Sequence, residues 1–174
     1  MRRFLPLLLA AGLGHAVRGE DRFPAVSGRN LHGETITFPA AFAQQRCTLV
    51  IVAYLQQQQE TIDPWLPELT RLAKEVDGFD YFELPTIKPV NPVLRWVIYR
   101  GMRSGIPSAA ARSRTVTLHL DKGPFNETLG VTDENEVRFF LVDDEGRICW
   151  RATGERTGEK LDELRRQVAA LTGN

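Results

Sequence analysis

The stretch TLVIVAYLQQQQETIDPWLPEL, residues 48–69, decides how the rest of the chain is read. Its first eight residues, Thr48 to Leu55, form a continuous apolar run rich in β-branched side chains. A strand covered on both faces reads this way, because no polar residue alternates with the apolar ones. Four glutamines follow, Gln56 to Gln59. Asp63-Pro64 then opens a helix: Asp can cap it, and proline suits a first turn whose N–H groups have no partner. Leu66, Leu69, Leu72 and Ala73 recur at helical spacing up to about Val76, and Asp77-Gly78 ends the run. Reactive groups are often carried at such a junction of strand end and helix start. Here glutamines stand there.

Outward from this unit the same reading continues. Upstream, FPAVSGRNLHGETITF (residues 23–38) gives two extended runs about a His32-Gly33 turn, a β-hairpin. Pro39 to Gln45 is one helical turn. Downstream, Phe79 to Leu84 is a second strand, and Pro85 to Pro92 a proline-broken linker. A helix is expected over about Pro92 to Arg103, stopped by Gly105 and Pro107, and another turn over Ser108 to Ser113. Thr115 to Leu120 alternates as a strand, and Pro124 to Leu129 is a short helix. Val137 to Val142 is a buried strand, turned by Asp143 to Gly146 into an antiparallel partner, Arg147 to Arg151. The last helix spans about Gly158 to Leu171, with Leu161, Leu164, Val168 and Leu171 on one stripe. Strands alternating with helices imply an α/β domain whose mixed, mainly parallel sheet is flanked by helices on both faces.

The sequence has 174 residues, which is ordinary for one domain. Lys plus Arg and Asp plus Glu are 22 each, so no global charge draws the chain to nucleic acid. The start reads as a signal peptide over residues 1–16. Arg2 and Arg3 precede an apolar run, Phe4 to Gly14, and Gly14-His15-Ala16 ends on a small residue. That run falls short of the roughly 20 residues a bilayer span takes. An uncleaved anchor and an organelle transit peptide are the other readings. One domain, residues 17–174, is expected to follow, in an exported and periplasmic protein or, alternatively, a mitochondrial membrane-associated one. The two cysteines, Cys47 and Cys149, form no CxxC, and the three histidines have no zinc spacing. No metal or cofactor is expected.

FPAVSGRNLHGETITF, the buried strand and PWLPEL together resemble the opening of the thioredoxin-like superfamily, in its peroxiredoxin and TlpA branches. VRFFLVDDEGRICW resembles its closing hairpin. The resemblance covers roughly residues 23 to 171 and implies a thioredoxin-like fold. Family members that exchange thiols carry CxxC at the helix after the central strand, where the helix dipole stabilises the thiolate. Aligning Leu66-Pro67-Glu68-Leu69 with the family's "MPEL" segment puts Gln59 and Ile62 at the two cysteine positions. The family's cis-proline falls near Val137, and no proline lies beyond Pro124. An amide has no thiolate, so thiol exchange at that position is chemically excluded. The family's sheet also implies that Cys47 and Cys149 stay unpaired. One strand would separate theirs, placing them roughly 9–10 Å apart, beyond disulfide reach. Cys149 is expected to face away from Ile148 and Trp150.

A basic helical insert, about residues 85–114, is less generic. Leu84 to Leu120 contains no acid but carries Lys88, Arg95, Arg100, Arg103, Arg112 and Arg114. At 100° per residue, Val93, Leu94, Val97, Ile98, Gly101 and Met102 share one half of the helix. Arg95, Trp96, Tyr99, Arg100 and Arg103 share the other. One reading docks the apolar half on the sheet and leaves a solvated basic face. The other makes Arg95, Trp96, Tyr99, Arg100 and Arg103 a contact surface for a protein partner or an anionic membrane, since Arg, Trp and Tyr carry interface energy. The insert and the R-I-x-W hairpin (Arg147, Ile148, Trp150) resemble the peroxiredoxin-like mitochondrial assembly factors of F-type ATP synthase. That resemblance implies a non-catalytic chaperone or assembly factor at a membrane complex. The alternative is a thiol-disulfide oxidoreductase or peroxidase using Cys149 or Cys47.

Overall fold

The computed structural model describes residues 21–173. The segment read as a signal peptide lies outside them. Seven strands form one sheet in the order β2-β1-β5-β4-β3-β6-β7. They are β1 (Val26–Asn30), β2 (Thr35–Phe38), β3 (Cys47–Ala53), β4 (Phe79–Ile87), β5 (Val116–His119), β6 (Arg138–Asp143) and β7 (Ile148–Thr153). The helices are α1 (Gln59–Ile62), α2 (Leu66–Glu75), α3 (Pro92–Gly105), α4 (Ala109–Arg114), α5 (Lys122–Leu129) and α6 (Gly158–Thr172).

The sheet is mixed, as expected, but it is not mainly parallel. Only the neighbouring pairs β3–β4 and β4–β5 are parallel. The two hairpins add antiparallel strands at both ends, β1–β2 beside β5 and β6–β7 beside β3. Hairpin connections are too short to be crossovers, so they impose that direction.

β3 is central and buried over six of its seven residues, which explains its continuous apolar run. Its alternate residues feed two cores. Cys47, Leu49 and Ile51 face α2 and α6, where Trp65, Leu69, Leu72, Leu164 and Val168 close over them. The indole of Trp65 packs on Phe139 with ring centroids 4.6 Å apart. Val50 and Val52 face the other core, built on Phe38, Phe42, Phe125 and Phe140 about a central Phe23. Phe23 meets all four rings edge-on, an arrangement that suits the aromatic quadrupole.

Three local expectations change. The linker proposed from Pro85 is the end of a strand, because β4 runs on to Ile87. Pro85 stands opposite Ala53, the last residue of β3, and pairing with β5 takes over at Thr86 and Ile87. Second, the helix expected from Asp63 is two helices. Pro64 has no N–H to give the Glu60 carbonyl, so α1 stops and α2 restarts beyond it. Asp63 is an N-cap to neither: its N–H ends α1 on the Gln59 carbonyl (2.8 Å), and its carboxylate accepts from Gln59 Nε2 at 2.8 Å. Third, β7 carries a bulge. Leu141 pairs with Trp150 and Val142 with Ile148, leaving Cys149 as the extra residue. Ile148 and Trp150 therefore pack on opposite cores, not on one face with Cys149 turned away from both.

Candidate functional site

The C-terminal end of β3 is closed by its own side chains. Gln58 is buried, and its Oε1 accepts from the main-chain N–H of Tyr54 (2.7 Å) and Leu55 (3.1 Å). Its Nε2 donates to the Glu134 carbonyl at 2.8 Å. One amide thus satisfies the strand-to-helix turn and ties it to the loop before β6. Gln59 is exposed and holds Asp63. Ile62 is 2% exposed and sits in the core that also contains Trp65, Val137 and Phe139. Val137 is equally buried, and its carbonyl accepts from Gly154 N at 3.1 Å. Ile62 and Val137 are therefore brought into one apolar cluster, with Gln59 outside it. Among the described residues the cis peptide is Phe38–Pro39, at the end of β2.

Glu83, on β4, was not singled out by sequence reading. It is 8% exposed, and burial pushes its carboxyl up to about 7. The Gln59 side chain pulls the other way, and the Asp63 charge adds to the upward push. An acid set between Phe82 and Leu84 in the strand run FDYFEL is the signal that marks it.

The thiols are free and poorly activated. Cys47 is fully buried at the start of β3, and burial, with a smaller push from Cys149, raises it to about 12. Cys149 is exposed on the bulge and is raised too, by burial first and Asp143 second. Its S–H donates to the Arg147 carbonyl at 3.5 Å. Catalytic cysteines need the opposite shift, because the thiolate is the nucleophile.

The helix α3 divides the apolar half that one reading docks on the sheet: Ile98 and Met102 are half-buried, whereas Val93, Leu94 and Val97 stay exposed. Asn91 caps it, accepting from Leu94 N at 2.9 Å, and none of its residues is buried. Val93 is 73% exposed, Leu94 45%, Val97 51% and Trp96 56%. From the other half, Tyr99 and Arg103 reach the sheet side. Tyr99 Oη donates to the Leu31 carbonyl at 3.0 Å, and Arg103 donates to the same oxygen at 2.7 Å. The reason lies in the sheet, whose β1–β2–β5 end offers α3 Ser27, Arg29, Thr35, Thr117 and His119. Polar strands give an apolar stripe nothing to bury against, whereas a phenol and a guanidinium find a carbonyl. Arg100 lies over the Trp96 ring at 5.3 Å, and Arg95 and Trp96 line the cleft beneath the helix. Of the other basic residues here, Arg112 holds the Ile106 carbonyl (2.6 Å) and Arg114 pairs with Asp80 (2.6 Å). The five residues proposed as one contact surface thus divide: Tyr99 and Arg103 anchor the helix, Arg95 faces the cleft, and Arg100 with Trp96 borders the exposed stripe.

This architecture recurs among solved structures. A thiol:disulfide interchange protein from Bacteroides sp. is 16% identical, with a TM-score of 0.54 over 88% of this chain and 89% of that one. The pneumococcal exposed lipoprotein thioredoxin Etrx1 from Streptococcus pneumoniae is 15% identical, with a TM-score of 0.54 over 84% and 99%. BsSco, of the Sco family of cytochrome c oxidase assembly proteins, is 11% identical, with a TM-score of 0.57 over 87% and 94%. The fold is thioredoxin-like. No family model and no curated protein matches the sequence. Among the described residues no helix is long and apolar enough to cross a membrane, and no group of His, Cys, Asp and Glu is placed to hold a metal ion.

Proposed function

We propose that this protein is an exported, non-catalytic thioredoxin-like module that docks a protein partner of a membrane complex through α3. The carrying observation is the exposed stripe Val93, Leu94 and Val97, bordered by Trp96 and Arg100, on a helix that buries no residue of its own. Apolar surface left in water on a helix held by polar anchors is costly unless another surface covers it. The filled strand end supports the same reading, because glutamine, isoleucine and valine at the former redox positions offer neither nucleophile nor leaving thiol. Membrane-complex assembly is the role implied by the resemblance to the ATP synthase assembly factors. A photoreactive residue in place of Val97 is expected to capture one defined partner in membranes of the source cell, and Leu94→Ser should abolish that capture. Equal capture by the Leu94→Ser protein would refute docking through this stripe.

A second reading is a thiol-disulfide oxidoreductase or peroxidase using Cys149 or Cys47. The observation favouring it is the fold shared with proteins named for thiol-disulfide interchange. Disulfide reduction or peroxide consumption by the purified protein, lost in Cys149→Ser, would establish it in place of the first.

A further inference from the structure

Beneath α3 lies a cleft of about 610 Å3, roofed by the helix and floored by β1, β2 and β5. Its volume falls within the ordinary range for small-molecule sites. Arg95, Trp96 and Tyr99 come from the roof, and Arg29, Thr117 and His119 from the floor. None of the residues lining it is acidic. The Arg95 guanidinium has no hydrogen bond or ion pair among the described residues. Arg29 donates Nε and Nη2 to the Gly33 carbonyl, at 3.2 and 3.0 Å, and meets no carboxylate. Two guanidiniums facing a partly enclosed space without a counter-anion are a strong electrostatic preference for one. His119 is held below the usual imidazole range by burial and by Arg95, so at neutral pH it is a neutral hydrogen-bonding group rather than a third cation. Trp96, Tyr99 and Ile98 supply apolar surface beside the charges.

We infer that this cleft is a binding site for an amphiphilic organic anion, whose carboxylate or phosphate head meets Arg95 and Arg29 and whose apolar body lies against Trp96, Tyr99 and Ile98. The site lies beneath α3 and the proposed docking stripe on its outer side, so it stands or falls independently of the docking reading. Such an anion has two sources, a free molecule and a membrane lipid. Decanoate below its micelle concentration represents the first, and phosphatidylglycerol vesicles the second.

Isothermal titration of the whole protein with each probe tests the inference. Saturable binding of at least one probe is expected, weakened on the order of tenfold to a hundredfold by Arg95→Gln, the effect of losing a charge-assisted hydrogen bond. Ile98→Trp should also weaken it by filling the cleft, and Val93→Ser, on the outer stripe, should leave it unchanged. Circular dichroism checks that the variants are folded. Which probe binds identifies the source. No saturable binding of either, binding that survives Arg95→Gln, or equal loss in Val93→Ser would each overturn the site.

Discussion

Gln58 shows how one side chain closes a strand end. Its amide occupies the turn after β3 by bonding two N–H groups and one carbonyl, whereas the sequence shows only one glutamine of four. Glu83, next to the side chain of Gln59, carries a testable consequence. Its folded carboxyl titrates near 7, above its ordinary value of 4.5. The folded protein therefore keeps a proton that the unfolded chain releases. The associated stability is present below about 4.5 and is lost as pH rises towards 7, about 3 kcal/mol in all. Glu83→Gln should flatten that loss and raise stability at pH 8 by about 2–3 kcal/mol, read from urea midpoints at pH 5 and pH 8. The thiols make a second prediction. Ellman's reagent at pH 8 should label Cys149 slowly in the native protein and Cys47 only after unfolding, because Cys47 is fully buried. Fast native labelling of both would contradict the burial.

At the scale of elements, the β1–β5 contact is close enough to demand glycine. A Cβ on Gly28 would stand 2.6 Å from the Thr117 carbonyl oxygen and 2.8 Å from the Val116 and Leu118 side chains. Gly28→Ala should cost about 1–3 kcal/mol, since neither strand can retreat without breaking its pairing; thermal denaturation measures it. The helix α3 is held differently, by Tyr99 and Arg103 on one carbonyl. Tyr99→Phe should cost about 1 kcal/mol and increase hydrogen exchange at the end of β1, because Leu31 then keeps a single side-chain donor. The helical periodicity of PVLRWVIYRGMR separates apolar from basic residues, but the inward side takes from both, Ile98 and Met102 together with Tyr99. It does not say which residues turn inward, since that depends on the polarity of strands 27–37 and 117–119.

At the scale of the molecule, the exposed stripe and the core have opposite sensitivities. Val93→Ser with Val97→Ser should change stability by less than about 0.5 kcal/mol, while removing partner capture. Trp65→Ala, which empties a fully buried site against Phe139, should cost about 3–5 kcal/mol. Paired denaturation curves distinguish these outcomes. A large loss from the double serine variant would mean that the stripe is covered within this chain.

The sequence by itself determined the class of fold. Thr48 to Leu55 is short, apolar without alternation and rich in β-branched residues, which suits a strand covered on both sides, and the hairpins and helices around it follow from short-range turn and period chemistry. It also determined that no cysteine stands between Thr48 and Leu69, because that is a matter of residue identity. The tertiary structure decided what periodicity cannot carry. It set the orientation of α3, the bulge that lifts Cys149 out of alternation, and the Arg95–Arg29 cleft. Each of these depends on residues more than 50 positions apart in the chain or on a pairing register. Local propensity has no access to a partner strand's polarity, and that polarity is what turned the apolar stripe of α3 outward.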